Sequence, residues 1–205
     1  MSPQPTLKDR FDRHVVASAA QLLPSYPILA LSDMHITGTT VNESLIARGL
    51  STTTTLLGAG LVFDMVREGS LDYFGAEQGK GKTLKTGLHD ACYNAAFTLA
   101  GTLPFYLIAG VTDGRLLYSS AAAATYGFMS GPIVGVTTDI LKDWCGIEPC
   151  PRLHEHIRNR TASQKKGLAA LLFGLSLATT SGIYATAPTK KSPPEERITT
   201  ADANP

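Results

Sequence analysis

The sequence lacks the features that mark several common classes of protein. It has three cysteines, which are too few for a disulfide scaffold. Its 18 Lys and Arg residues nearly balance 17 Asp and Glu residues, so the formal net charge is only +1. This balance excludes a nucleic-acid-binding arm, an acidic tail and a chain kept unfolded by self-repulsion. We therefore expect no nucleic-acid partner.

Charge is also missing from five long windows, which together hold 101 of the 205 residues. A soluble surface helix carries charged residues every turn or so on its outer face. Three of the windows are at least 22 residues long, and about 20 apolar residues suffice to cross a bilayer. We interpret all five as membrane spans. The windows are residues 15–32, 49–63, 91–112, 116–138 and 167–189.

These windows predict an all-α fold, a polytopic membrane bundle with four core transmembrane helices and a fifth added to them. The first window lacks a small-residue cleavage site, so we interpret it as an uncleaved span rather than a signal peptide. A soluble all-α protein with Ala-rich buried helices is the alternative. The predicted segments are a cytoplasmic segment at 1–13, a four-helix transmembrane domain at 14–146, a basic cytoplasmic linker at 147–166, the additional helix at 167–189 and a disordered tail at 190–205.

The basic residues between the windows predict the orientation of the chain. Counted along the sequence, the five segments before the last window carry 3, 1, 4, 1 and 6 Lys and Arg residues. Cytoplasmic loops are enriched in these residues, so the alternation places the N-terminus in the cytoplasm. We expect a multi-pass protein of the plasma (inner) membrane.

A short pattern occurs twice in the chain. Residues 60–68 and 135–143 both follow G-x-x-x-D-x-x-[RK]-[DE], and 75 residues separate the copies. His14 and His89 share the same offset. This predicts a tandem repeat of a two-helix unit, with both copies in the same orientation because each ends on the cytoplasmic side.

Several residues resemble, in order and spacing, the bacterial L-alanine exporter family over about residues 13–146. They are Thr37, Gly38, Glu43, Ser44 and Arg48; Gly60, Asp64 and Arg67; Asn94, Pro104 and Tyr106; and Gly131, Pro132, Gly135 and Asp139. Asn94 stands where that family carries an Asp, and residues 147–205 extend beyond it. The resemblance implies a transporter, not an enzyme, that exports a small neutral amino acid such as L-alanine by ion-coupled alternating access.

The candidate substrate and coupling residues follow from this resemblance and from the chemistry of a zwitterion. A broken helix can offer amides to a carboxylate and carbonyls to an ammonium group. The candidate breaks are the segments 24–27, 101–104 and 131–132, and packing kinks are the alternative for each proline. The candidate residues are Ser44, Arg48, Asp64, Arg67, Asn94, Pro104, Tyr106, Gly131, Pro132 and Asp139.

The charged candidates have two interpretations each. Asp64 and Asp139 could couple protons or bind the substrate amine, but pairing with the base three residues on, Arg67 or Lys142, is favoured. Arg48 could hold a carboxylate, or it could pair with Asp33 or Glu43. Asn94 and Tyr106 lie in uncharged windows, where they could form hydrogen bonds between helices.

Two further patterns are weaker. Residues 75–83 resemble the end of a phosphate-binding loop but lack its first glycine position, so a basic loop at the lipid headgroups is the better interpretation. Cys145, Cys150, His154 and His156 are possible metal ligands, but their spacing is wrong for zinc and we predict no metal site. We also expect no cofactor.

The expected partners are an amino-acid substrate, the lipid bilayer and further copies of the chain. Four thin helices can hardly enclose a pathway, which predicts a homo-oligomer. A non-transporting membrane scaffold, in which the repeated motifs only pack helices, is the alternative function.

Overall fold

The structure is a computed structural model that describes residues 7–76, 82–148, 150 and 155–187. Every regular element in these ranges is a helix, so the predicted all-α class is confirmed. The helices are α1 (Leu7–His35), α2 (Val41–Thr54), a π-helical segment (Thr55–Ala59), α3 (Gly60–Tyr73), α4 (Lys82–Ile108), α5 (Asp113–Trp144), the short α6 (Glu155–Arg158) and α7 (Ala162–Ala185).

Local signals fix where two of these helices begin. The Thr40 hydroxyl accepts a hydrogen bond from the Glu43 amide, and the Glu43 carboxylate accepts one from the Thr40 amide. Thr161 and Gln164 form the same reciprocal pair at the start of α7. Such a capping box satisfies two amides that the first turn of a helix leaves without partners.

Four segments are long and apolar enough to cross a membrane, by length and composition. They indicate a membrane protein. The fifth long helix, α5, has 32 residues but falls outside this set because its uncharged window is rich in Ser, Thr, Gly and Ala. The sequence placed that window among the four core spans, whereas the apolar set contains α7 instead. The four segments are Lys8–His35, Val41–Tyr73, Thr83–Ile108 and Ala162–Ala185.

The described prolines do not interrupt the helices, so the structure contradicts the candidate breaks at 24–27, 101–104 and 131–132 and leaves the alternative of packing kinks. Pro24 and Pro27 lie inside α1, Pro104 lies inside α4 and Pro132 lies inside α5. The break within the described residues comes instead at Gly58, whose φ of 139° lies outside the helical region. Residues that carry a side chain rarely adopt this backbone conformation, whereas glycine adopts it freely.

The helix α5 packs along α4 at very short range. A Cβ atom added at Gly131 would lie 2.5 Å from the Ala91 Cα and 2.3 Å from the Asp90 carbonyl oxygen. One added at Gly127 would lie 2.8 Å from the Thr98 Oγ1. The two backbones can therefore approach this closely only because these positions carry no side chain, as in other small-residue helix contacts.

The helix α7 lies on the outside of the bundle, mainly against α1. None of its residues is buried. Leu168 and Ala169 pack on an apolar cluster formed by α1 and the end of α5, and the Ser176 hydroxyl donates to the Leu23 carbonyl oxygen over 2.6 Å. The rest of its surface, including Leu171 and Phe173, is apolar and exposed, as expected for a helix that faces lipid.

The bundle has two ends, which we name after the buried arginines Arg67 and Arg48. At the Arg67 end, α1, α4 and α7 begin and α3 and α5 finish. At the Arg48 end, α1, α4 and α7 finish and α2 and α5 begin. Each end contains a cluster of buried polar and charged side chains.

Candidate functional site

A connected set of polar side chains is buried at the Arg48 end. The Arg48 Nη2 donates to the Asp33 Oδ2 over 3.1 Å and to the Tyr106 hydroxyl over 2.9 Å. Tyr106 donates to the Asp33 Oδ1, and the Ser44 hydroxyl donates to the Asp33 Oδ2 over 2.5 Å. Arg48 is 6% exposed, and Asp33 and Ser44 are fully buried. An Arg–Asp pair this deep needs such additional hydrogen bonds to offset its desolvation.

The helix α7 contributes the last member of this set. The hydroxyl of Tyr184 lies 2.8 Å from the Ser44 Oγ. Because the Ser44 proton is directed at Asp33, Tyr184 is the donor in this pair. We call Asp33, Ser44, Arg48, Tyr106 and Tyr184 the Arg48 cluster. It joins α1, α2, α4 and α7, so the helix that follows the predicted four-helix domain reaches the candidate site.

The structure decides between the two partners that were open for Arg48. Asp33 is the partner, and Glu43 instead caps α2 and lies 3.5 Å from the Arg115 guanidinium. Of the predicted residues, Ser44, Arg48 and Tyr106 therefore meet in one cluster. The Arg48 guanidinium carbon also lies 5.6 Å from the centre of the Tyr106 ring, within the range of a cation–π contact.

A cavity of about 270 Å³ adjoins this cluster between α1, α2 and α4. Arg48 lines it, and the Arg48 Nε has no hydrogen-bond partner among the described residues. Gln21 also lines it, and the Gln21 Oε1 is likewise buried and unpartnered within those residues. Two residues of the wall thus each carry a buried polar atom without a hydrogen bond in the described part of the chain. Hydroxyl groups supply much of the remaining polar surface, from Ser25, Tyr26, Ser51, Thr54, Thr55, Thr98 and Thr102.

The break in the second span forms one side of this cavity. Thr55 and Ala59, at the two ends of the π-helical segment, both line it. Side chains of α1 stabilise the segment, because the Ser18 hydroxyl donates to the Thr55 carbonyl oxygen and the His14 Nε2 donates to the Leu56 carbonyl oxygen. Single π turns inside helices are often found at functional sites.

Asn94 lies between the cavity and α5. Its side-chain amide donates to the Gly127 carbonyl oxygen over 2.8 Å and to the Ser130 hydroxyl over 3.3 Å. Asn94 also lines the cavity. The predicted hydrogen bond between helices is therefore confirmed, and it spans the close contact of α4 with α5. Pro104 and Pro132 do not line this cavity.

The second cluster, at the Arg67 end, joins the two copies of the repeated motif. Arg67 of the first copy lies 3.0 Å from Asp139 of the second, and Lys142 of the second copy lies 2.6 Å from Asp64 of the first. The basic residue of each copy thus pairs with the Asp of the other. For Asp64, which pairs with Lys142 and Arg13, our expectation of a pair with Arg67 was wrong.

Further charges complete this second cluster. Arg67 also makes a two-pronged contact with Asp90 on α4, at 2.8 and 2.9 Å. Arg13 on α1 lies 3.0 Å from Asp64 and also pairs with Glu68. We call these residues the Arg67 cluster, namely Arg13, Asp64, Arg67, Glu68, Asp90, Asp139 and Lys142. Removing one member of a buried pair strands a charge, at a cost of about 3–5 kcal/mol, so the cluster couples the four helices tightly.

The glycine of each motif copy makes room for these contacts. A Cβ atom at Gly135 would lie 1.9 Å from the Asp90 Oδ2 and 2.9 Å from the Arg67 Nη2. One at Gly60 would lie 2.4 Å from the Ser18 Oγ. The spacing G-x-x-x-D therefore combines a close helix approach with a carboxylate one turn later on the same face.

Sequence reasoning missed several residues of these clusters. Asp33 was considered only as a partner of Arg48, and Asp90, Gln21 and Tyr184 were not considered. A signal for the two acids was present, because Asp33 directly follows the first uncharged window and Asp90 directly precedes the third. An acid at the edge of a span is costly unless it is paired.

Some predicted features lie outside the described residues. These are residues 77–81 of the loop that resembles a phosphate-binding motif, His154, the side chain of His156, residues 1–6 of the N-terminal segment and the tail from 190 to 205. Cys145 and Cys150 are described, and Cys145 is exposed whereas Cys150 is buried.

Comparisons with protein-family models, with curated proteins and with solved structures found no match for this chain.

Proposed function

We propose that the protein is a membrane transporter that moves a small zwitterionic amino acid, in the first place L-alanine, through the cavity beside Arg48. The observation that carries this proposal is the buried guanidinium on the cavity wall, whose Nε has no partner in the described part of the chain. An unused charged donor in an apolar setting is costly unless a ligand satisfies it. A carboxylate is one of the anions that a guanidinium binds through charge-assisted hydrogen bonds.

The charge balance favours a zwitterion over an anion. Asp33 already neutralises Arg48 in the empty cluster. A bound carboxylate alone would add an unbalanced negative charge, which is expensive in a low-dielectric site. An amino acid brings its own ammonium group, which we place beside the side-chain oxygens of Gln21, Ser51 and Thr54, residues that line the same cavity.

The size of the cavity favours a small substrate. Sites for drug-sized ligands occupy about 300–1,000 Å³, and this cavity of about 270 Å³ lies just below that range. Its apolar wall includes Leu22, Leu29 and Phe97. A short aliphatic side chain of the substrate would contact these apolar groups without displacing α1 or α4.

The arrangement of charges supports alternating access and the predicted orientation. The Arg67 cluster lies at the end of the bundle opposite Arg48, and its crossed pairs join the two halves of the repeat. Opening at that end requires those pairs to separate, which an ion gradient could drive. Most Lys and Arg residues between the spans belong to the Arg67 end, which we place in the cytoplasm of a cell whose inner membrane holds the protein.

Further copies of the chain are part of this proposal. The cavity lies between only three helices, and the hydroxyl-bearing residues Thr53 and Thr54 of α2 are exposed beside it. Polar groups facing lipid at this position would gain hydrogen bonds from a second copy. We therefore propose a homo-oligomer in which a neighbouring copy covers this side.

The second candidate function is a scaffold without transport. The close α4–α5 contact and the crossed ion pairs favour it, since both serve packing regardless of any substrate. A scaffold leaves the unpartnered groups of Arg48 and Gln21 without a role. The two functions differ in whether any solute crosses the membrane.

Transport by purified protein in lipid vesicles tests the proposal. We expect labelled alanine to move down an imposed ion gradient, and the change Arg48→Gln to reduce the initial rate by about 10- to 100-fold, since a charged hydrogen bond contributes about 1.5–3 kcal/mol. The matched control is Arg115→Gln, at the same end but on the surface with Glu43. Absence of amino-acid flux in the unaltered protein would refute transport, and full activity of R48Q would refute this site.

A further inference from the structure

A second, larger concavity lies on the outer surface at the Arg67 end. It has a volume of about 550 Å³ and runs between the end of α3 and the first turns of α4. Its sides include Phe74, Leu88, Cys92 and Tyr93, and Lys85 lies at its edge. It shares none of its residues with the cavity beside Arg48. We call it the α3–α4 groove.

Ring contacts fix one wall of this groove. The His89 ring is nearly parallel to the Tyr93 ring, with 5.9 Å between their centres, and lies 6.2 Å from the Phe74 ring. The His89 Nε2 and the Ser70 hydroxyl are 2.8 Å apart, which joins α4 to α3. The groove is therefore a formed feature in which the His89 ring and the Ser70 hydroxyl are already hydrogen-bonded to each other.

The position of the groove along α4 indicates that its ligand is amphiphilic. Lys85 lies three residues after the start of α4, near the end of an apolar span. Cys92 comes seven residues later, which is about 10 Å further into that span at 1.5 Å per residue. A ligand that fills the groove must be polar beside Lys85 and apolar beside Leu88 and Cys92.

The charge at the mouth selects among such ligands. Lys85 is exposed, and its ammonium group pairs with no carboxylate in the part of the chain that the structure describes. This differs from Lys142 and Lys165, which both form ion pairs at the same end of the bundle. A free ammonium group beside an apolar groove at the membrane surface attracts an anionic headgroup.

We propose that the α3–α4 groove is a binding site for one anionic phospholipid, with the phosphate at Lys85 and an acyl chain along Leu88, Cys92 and Tyr93. The site needs only that the protein resides in a membrane, so it does not depend on transport. A zwitterionic lipid or a second copy of the chain are the other possible occupants, and the experiment separates them.

Native mass spectrometry of the full chain from mixed micelles tests this site. The probes are phosphatidylglycerol and phosphatidylcholine with identical acyl chains. We expect the protein to retain phosphatidylglycerol with a preference of about fivefold, the effect of one lysine near a charged surface. Lys85→Gln should abolish this preference, whereas Lys8→Gln, on the surface of α1 beside Asp12, should leave it unchanged.

A labelling experiment locates the lipid. Cys92 and Cys145 are both exposed thiols, and only Cys92 lines the groove. Phosphatidylglycerol should slow alkylation of Cys92 several-fold and leave Cys145 unaffected. Equal retention of both lipids, an unchanged preference in K85Q, or protection of Cys92 by dimer formation without bound lipid would each overturn the proposal.

Discussion

Replacing Gly131 by alanine tests the close contact of α4 with α5. The added methyl group would meet the Ala91 Cα at 2.5 Å and the Asp90 carbonyl oxygen at 2.3 Å. Both are main-chain atoms, so no side-chain rotation relieves the overlap. The two helices must separate by more than an ångström to reach ordinary contact distances, at about 3.5–4.0 Å between carbon atoms.

The cost of that separation follows from what the helices share. Overpacking of this kind costs about 1–3 kcal/mol. The Asn94 hydrogen bond to the Gly127 carbonyl oxygen, 2.8 Å long and one turn away, would also be lost, at about 1 kcal/mol. The matched control is Gly174→Ala on α7, where a Cβ atom meets nothing within 4 Å. Both variants gain the same helix propensity, so we expect G131A to be less stable than G174A by about 2–4 kcal/mol.

Equilibrium unfolding in mixed micelles of increasing SDS content measures this difference. The single tryptophan, Trp144, is 9% exposed in the apolar cluster of α1 and α5, and its fluorescence reports unfolding. Equal unfolding free energies of G131A and G174A would refute the close approach of α4 and α5. A loss that appears in G174A alone would refute the exposed position of α7.

Two further predictions use the same unfolding assay. Gly58→Ala should lower the free energy of unfolding by about 1–3 kcal/mol because alanine is strained at this backbone conformation. The control Gly49→Ala, where a Cβ atom meets nothing within 4 Å, should not destabilise the protein. Equal stability of the two variants would mean that the second span is an unbroken helix. Lys142→Met should lower the free energy of unfolding by about 3–5 kcal/mol because it removes a partner from the buried Asp64. Asp64→Asn should then cost much less in the K142M variant than in the unaltered protein. Strict additivity of these two changes would contradict a direct ion pair.

Charge-free windows predicted the helices but underestimated their length. The second window covers residues 49–63, whereas the span runs from Val41 to Tyr73. The difference arises because Arg48, Asp64 and Arg67 are buried inside the span through their ion pairs. A search for uncharged windows ends a span at its first charged residue, even where that residue is paired with a helix that is distant in the sequence.

The choice of ion-pair partner shows a second limit of sequence reasoning. Spacing along one helix made Arg67 an obvious partner for Asp64. The structure pairs Arg67 with Asp90 and Asp139 instead, because Gly135 lets α5 and its neighbours approach closely enough for contacts between helices. The repeat itself was visible in the sequence, but the exchange of partners depends on which faces meet.

The break in the second span shows a third limit. Proline was the expected signal because it removes a hydrogen-bond donor. Each described proline instead lies in a continuous helix, where the backbone stays in its ordinary conformation. The true signal was Gly58 near Gly60, in a Thr-rich segment, since glycine alone adopts the required φ freely.

The crossed pairs of the Arg67 cluster have a consequence for biosynthesis. Both acids that bind Arg67 lie in the second half of the repeat, on α4 and α5, and both acids that bind Lys142 lie in the first half, on α3. The ribosome synthesises α1 to α3 before α4, so Arg67 lacks these two partners until α4 follows with Asp90. Until then we expect the Arg67 guanidinium to extend to the lipid headgroups. Each half thus supplies the carboxylates that pair with the basic residue of the other half. Two separately translated halves should therefore fold only when they are produced together.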